Sequence, residues 1–213
     1  IGGMNRPEMR PELRERLLEA MLRELDEKGR EGISVTAVLA GLGVSEEEFA
    51  AEFDDLDACV DAAYEELTAR IAAAVRDGCA GSPPSGSERA WADRVRGGLE
   101  ALLAELAADP LRARTLTRTY PALGPRGQAR YQSFLDSFVP LLAPGREVSE
   151  VSRELPAIVE SLAIGAVEAI LFEEIACARA EQLPALLPSL LFSVLVPVLG
   201  PVAAATEMEK AQR

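Results

Sequence analysis

The sequence holds no histidine, and its three cysteines, Cys59, Cys79 and Cys177, include no CxxC pair. Histidine-based acid–base catalysis and the commonest zinc sites are therefore without their usual residue. An odd number of scattered thiols points to reduced cysteines in a cytoplasmic protein rather than to a disulfide framework. There is no Gly-rich phosphate loop and no GxSxG element. Catalysis would have to rest on carboxylates, and no pair is singled out by spacing. The expectation is a protein that is not an enzyme and holds no metal or cofactor.

Binding chemistry remains. Trp91, Tyr120, Tyr131, Phe134, Phe138 and Phe172 are the large aromatics of the C-terminal part. They could line an apolar ligand pocket, with Thr115, Thr119, Gln132, Ser161 and Glu168 as its polar groups. Plain core packing is the competing reading for each of them. Glu168 sits in an apolar run with Ile164, Val167, Ile170 and Leu171. Turned inward, its carboxylate would favour a cationic or hydrogen-bond-donating small molecule; it could instead face solvent.

Charge restricts the partners further. The net charge is −13, which favours solubility and opposes generic polyanion binding. Between Arg30 and Arg70 there is no Lys or Arg, and residues 1–70 carry eight basic against eighteen acidic side chains. The cations nearest the N-terminus are Arg6, Arg10, Arg14 and Arg16.

The elements that must position these groups are helical. Leu13, Leu17, Leu18, Met21, Leu22 and Leu25 predict an amphipathic helix over 11–28, stopped by Gly29. Ser34 caps a second helix, Gly43 allows a tight turn, and Ser45-Glu46-Glu47-Glu48 forms a capping box that opens a third. A long helix follows to about Asp77. Residues 78–87 read as a loop. Further helices are expected from Glu88, over Leu111–Tyr120, from Pro125 to Leu142, over Val151–Arg179, and from Pro184 to about Leu199. Pro188 and Pro197 are expected to kink the last of these or leave carbonyls unpaired.

The segment Gln182–Thr206 has no charged residue and is long enough to span a bilayer. Its four prolines and the lack of a flanking basic cluster favour a buried dimer helix and no membrane partner. Ile1-Gly2-Gly3 ahead of Met4 reads as a cloning remnant, and no charged-then-apolar signal follows.

Two short helices joined at Gly43-Val44 and braced on both sides make a tri-helical helix-turn-helix pattern. Gly43-Val44-Ser45, Phe49, Phe53 and Asp55 resemble the signature of the TetR regulators, and Trp91, Asp109-Pro110 and two final apolar helices follow in the order similar to that family. The resemblance implies an all-α fold, with a helix-turn-helix domain (4–54), a connecting helix (55–77) and a larger ligand-binding and dimerisation domain (88–205). It implies a homodimeric repressor of an operator DNA, released by an apolar or amphipathic small-molecule effector. DNA contacts would come from Arg6, Arg10, Arg14, Ser34, Thr36, Ser45, Glu46, Glu47, Glu48 and Glu52. The dimer interface would use Ile164, Val167, Leu187, Leu190, Leu191, Val194 and Val198. The sequence departs from the family pattern at Ala50, where a phosphate-binding tyrosine is usual, and at Leu56, where a lysine is usual. The alternative is a dimeric small-molecule or protein-binding module whose acidic helix-turn-helix no longer binds DNA in the conventional way.

Overall fold

Ser34 closes the first turn of a helix by accepting a hydrogen bond from the Ala37 amide at 3.3 Å, and side-chain caps of this kind recur along the chain. The computed structural model describes residues 11–81 and 87–212, and every regular element among them is helical. Arg6 and Arg10 lie outside the described residues. The chain divides into two units, Ile1–Leu67 and Thr68–Arg213.

The first unit contains α1 (Pro11–Gly32), α2 (Val35–Leu42), α3 (Glu46–Glu52) and the start of α4 (Leu56–Ala80). Gly29 interrupts α1 with φ 68°, at the position where the sequence placed its end. Gly43 ends α2 in the left-handed region. Its amide donates to the Ala40 carbonyl and the Val44 amide to the Leu39 carbonyl, so two carbonyls of the last turn are satisfied by the backbone. Leu17, Leu18, Met21 and Leu22 of α1 bury themselves against Val38, Leu39, Val44, Phe49, Phe53 and Cys59.

The second unit holds α5 (Glu88–Ala108) and α6 (Pro110–Arg114), which runs into a π turn at Thr115–Thr119. Then come α7 (Pro125–Asp136), α8 (Val139–Leu142), α9 (Glu150–Arg153), α10 (Val159–Ala176) and α11 (Leu187–Ala211), joined in part by short 3-10 turns. The end of α4 meets α5 so closely that a Cβ built on Gly97 would lie 2.3 Å from the Gly78 carbonyl oxygen. Only glycine allows that approach.

Four expectations about helix limits differ from the structure, each for a local reason. The helix read over Val151–Arg179 is two helices, α9 and α10. Pro156 supplies no amide and disfavours helical geometry at Leu155. The helix read from Pro125 to Leu142 breaks before α8, where Pro140 falls in the first turn. Helix α4 continues past Asp77 to Ala80. The last helix runs on to Ala211, and its interruption is at Gly200 (φ 77°) rather than at Pro188, which sits harmlessly in the first turn. Pro201 then restarts the helix, a role its fixed φ suits. That tail turns Ala204 and Glu207 inward, and Arg96 Nη2 donates to Glu207 Oε2 at 3.1 Å. By length and composition Ala180–Ala211 could cross a membrane. Leu190, Leu191 and Leu195 on it are nevertheless wholly buried against the rest of the second unit.

Candidate functional site

The first unit presents a helix-turn-helix whose second helix, α3, is held at its N-terminus by a reciprocal pair. The Glu48 amide donates to Ser45 Oγ at 3.1 Å, and the Ser45 amide donates to Glu48 Oε2 at 2.8 Å. The bond from the Ser45 amide, then that from its hydroxyl, holds the Glu48 carboxyl below its usual range. Glu48 thus has a capping role that needs no ligand. Glu46 and Glu47 are exposed, as are Ser34 and Thr36, and Glu52 is half-buried. Phe49 and Phe53 face the core with ring centroids 5.5 Å apart.

Arg14 is engaged inside the unit. Its Nη1 lies 2.9 Å from Glu66 Oε2, and its guanidinium stands 5.7 Å from the Phe53 ring centre. Lys28 pairs with Glu24 at 2.6 Å. The face around α3 therefore carries exposed carboxylates and no basic side chain between Arg30 and Arg70.

The second unit contains a cavity of about 90 Å³, partly open to solvent. Its walls come from the end of α4 (Val75, Cys79), from α5 (Val95, Gly98, Leu99, Leu102, Leu106), from the π turn (Leu116, Thr117), from α7 and α8, and from α10 and α11. The described lining is almost wholly apolar. Its polar groups are Cys79, Thr117, Tyr131 and Glu168. The Thr117 hydroxyl donates to the Ala113 carbonyl at 2.9 Å and is spent on the backbone. The Tyr131 hydroxyl donates to Glu168 Oε1 at 3.1 Å. Burial pushes the Cys79 thiol above its ordinary range, which leaves it a weak nucleophile at neutral pH.

Of the aromatics singled out in the sequence, Tyr131, Phe134 and Phe138 line this cavity together with Glu168. Phe134 and Phe138 meet edge to face, with centroids 4.9 Å apart. The others lie elsewhere. Trp91 packs against Gly145 beside a smaller space that shares Leu142 and Val194 with the main cavity. Thr115 is buried and donates to the Leu111 carbonyl. Tyr120 is buried and accepts from Arg130 Nη1 at 3.3 Å. Thr119 is half-buried outside the lining, Gln132 donates to Asp136 at 2.9 Å, and Ser161 and Phe172 are exposed.

The residues named for a dimer interface also separate. Ile164, Val167 and Val194 line the cavity, and Leu190 and Leu191 are fully buried within the subunit. Leu187 and Val198 are half-buried. Among the described residues, the large apolar side chains left open are Val151 (75% exposed) on α9, Ile158 (58%), Leu162 (60%), Ile170 and Phe172 around α10, and Val202 on α11.

Sequence reading missed Val75, Cys79, Leu116 and Thr117 as cavity walls. It also missed the clamp in which Arg146 holds Glu160 at 2.5 Å and the carbonyls of Leu155 and Pro156 at 2.7 and 2.9 Å. The clamp ties the start of α10 to the turn after α8. Its partners are too far apart in sequence for any local pattern to show.

The fold of this chain, a helix-turn-helix unit followed by a larger helical unit, is similar to that of solved transcriptional regulators. The solved structures this chain resembles include the fatty acid degradation regulator FadR from Bacillus halodurans (TM-score 0.72, 14% identity, covering 84% of this chain and 96% of that one). A TetR-like transcriptional regulator from Rhodococcus sp. RHA1 aligns with TM-score 0.70 at 18% identity, over 90% of this chain and 98% of its own. The transcriptional regulator FadR from Bacillus subtilis, in complex with stearoyl-CoA, aligns with TM-score 0.68 at 14% identity over 87% and 97%. No family model and no curated sequence matches the chain. The shared property is the fold.

Proposed function

We propose that this protein is a ligand-responsive transcriptional repressor of the TetR type, binding an operator DNA as a homodimer and released by an apolar or amphipathic effector. The observation that carries this reading is the apolar cavity of the second unit. It is a preformed apolar space, in a fold like that of the Bacillus subtilis regulator in complex with stearoyl-CoA. The open apolar face through Ile158, Leu162, Ile170 and Phe172 supports a second copy of the chain as partner. Large exposed apolar patches mark association surfaces.

A second reading rests on the first unit. Operator binding draws affinity from Lys and Arg at phosphates, whereas here Glu46 and Glu47 are exposed and Arg14 is occupied by Glu66 and Phe53. That favours a dimeric ligand-binding module without conventional DNA affinity.

Fluorescence anisotropy with the DNA upstream of the protein's own gene, over a salt series, separates the two. Tight binding that weakens steeply with salt supports the repressor. Binding no better than to random DNA at low salt overturns it in favour of the module. Light scattering after size-exclusion chromatography tests the dimer, and a monomer at micromolar concentration removes it from both.

A further inference from the structure

The cavity bears one carboxylate and, among its described lining residues, no lysine or arginine. Glu168 Oε1 accepts from the Tyr131 hydroxyl at 3.1 Å, and no described residue donates to Oε2. The cavity that this carboxylate lines is walled also by Leu99, Leu102 and Leu106 from α5 and by Tyr131, Phe134 and Phe138. A carboxylate on an apolar wall is poorly solvated and gains most from an opposite charge. Aromatic rings in the same lining add attraction for a cation and none for an anion. A phosphate or carboxylate headgroup would need the paired N–H donors of arginine or the charge of lysine, and this lining supplies neither.

Resting on the reading of the cavity as the effector site, we propose that its ligand is a lipophilic organic cation. One ammonium or protonated amine sits against Glu168, and the apolar body lies among the leucines and phenylalanines. The Tyr131 hydroxyl acts as a positioning group. It holds Oε1 and leaves Oε2 for the cation.

The test uses the full chain and three probes of equal chain length below their micellar concentrations: dodecyltrimethylammonium, dodecanoate and 1-dodecanol. Isothermal titration calorimetry measures affinity. Trp91, the only tryptophan, reports occupancy from the adjoining space. The cation is expected to bind at least tenfold more tightly than dodecanoate. In Glu168→Gln the ratio of cation to alcohol affinity should fall at least tenfold, and Glu168→Met, which also removes the charge, provides the same comparison should the first variant fail to fold. A variant that keeps the parent's ratio, or a parent that prefers dodecanoate, overturns the cation and leaves the cavity as an effector site. Failure of all three probes to bind overturns both.

Discussion

Replacing Gly97 by alanine probes the seam on which two walls of the cavity depend. The new Cβ would lie 2.3 Å from the Gly78 carbonyl oxygen and 3.1 Å from its carbon, and the reciprocal substitution at Gly78 would meet the Gly97 carbonyl oxygen at 2.3 Å and its carbon at 2.8 Å. The obstacle is backbone in either case, so no side chain can swing aside and the two helices must separate. Overpacking of a tight contact costs roughly 1–3 kcal/mol, and a rigid obstacle belongs at the upper end of that range. Against it stands the gain of about 1 kcal/mol from alanine's better helix propensity. The net expectation is a loss of about 1–2 kcal/mol, or a fall in Tm of roughly 2–8 °C for a chain of this size. Gly41→Ala is the control, because a Cβ there meets nothing within 4 Å. It should leave stability unchanged or raise it by up to about 1 kcal/mol. Urea denaturation with matched slopes is the assay. A Gly97→Ala protein as stable as its parent would refute the close-approach argument.

Three further expectations follow from the caps, thiols and clamps. Ser45→Ala should lower stability by about 1 kcal/mol in urea denaturation, since it removes the acceptor for the Glu48 amide. With a disulfide thiol reagent at pH 8, the exposed Cys177 should react fast, while Cys59, pushed by burial up to about 12, and Cys79, raised for the same reason, should lag until denaturant is added. The Arg146 hydrogen bonds lower the Glu160 carboxyl from its ordinary 4.5. Its contribution to stability is therefore present above that value and lost as pH falls through the folded one. Urea midpoints measured from pH 6 to pH 3 should drop further in the parent than in Arg146→Met, and parallel profiles would contradict the clamp.

The features legible in the sequence were those written within a few residues. Ser34, Ser45 with Glu48, Ser87 and Asp109 each cap the helix they precede, because a cap joins a side chain to an amide two or three residues on. The stripe of α1 was equally plain, since its polar and apolar residues alternate with the helical period. Helix α10 offers no such contrast. Leu162, Ile170 and Phe172 are as apolar as Val167, Leu171 and Ile175, yet the first three are exposed and the others buried. Which side of such a helix faces inward is decided by neighbours distant in sequence. The same reason separates Phe134 and Phe138, which line the cavity, from Trp91 and Phe172, which do not. The break at Pro156 is readable from proline's missing amide, a signal local to that residue.

The π turn at Thr115–Thr119 has a consequence at the level of the gene. The Tyr120 amide reaches back five residues to the Thr115 carbonyl at 2.9 Å, so this turn holds one residue more than an α-helical turn. It has the form that a one-codon insertion takes when the helix on either side keeps its place. In-frame loss of a single codon here would let the ladder close regularly, with the helix on either side keeping its place and the turn itself holding one residue fewer. Leu116 and Thr117, which form part of the cavity wall, could not both keep their facing. Length variation at this one point is thus a route by which the cavity can change its lining with no substitution at all.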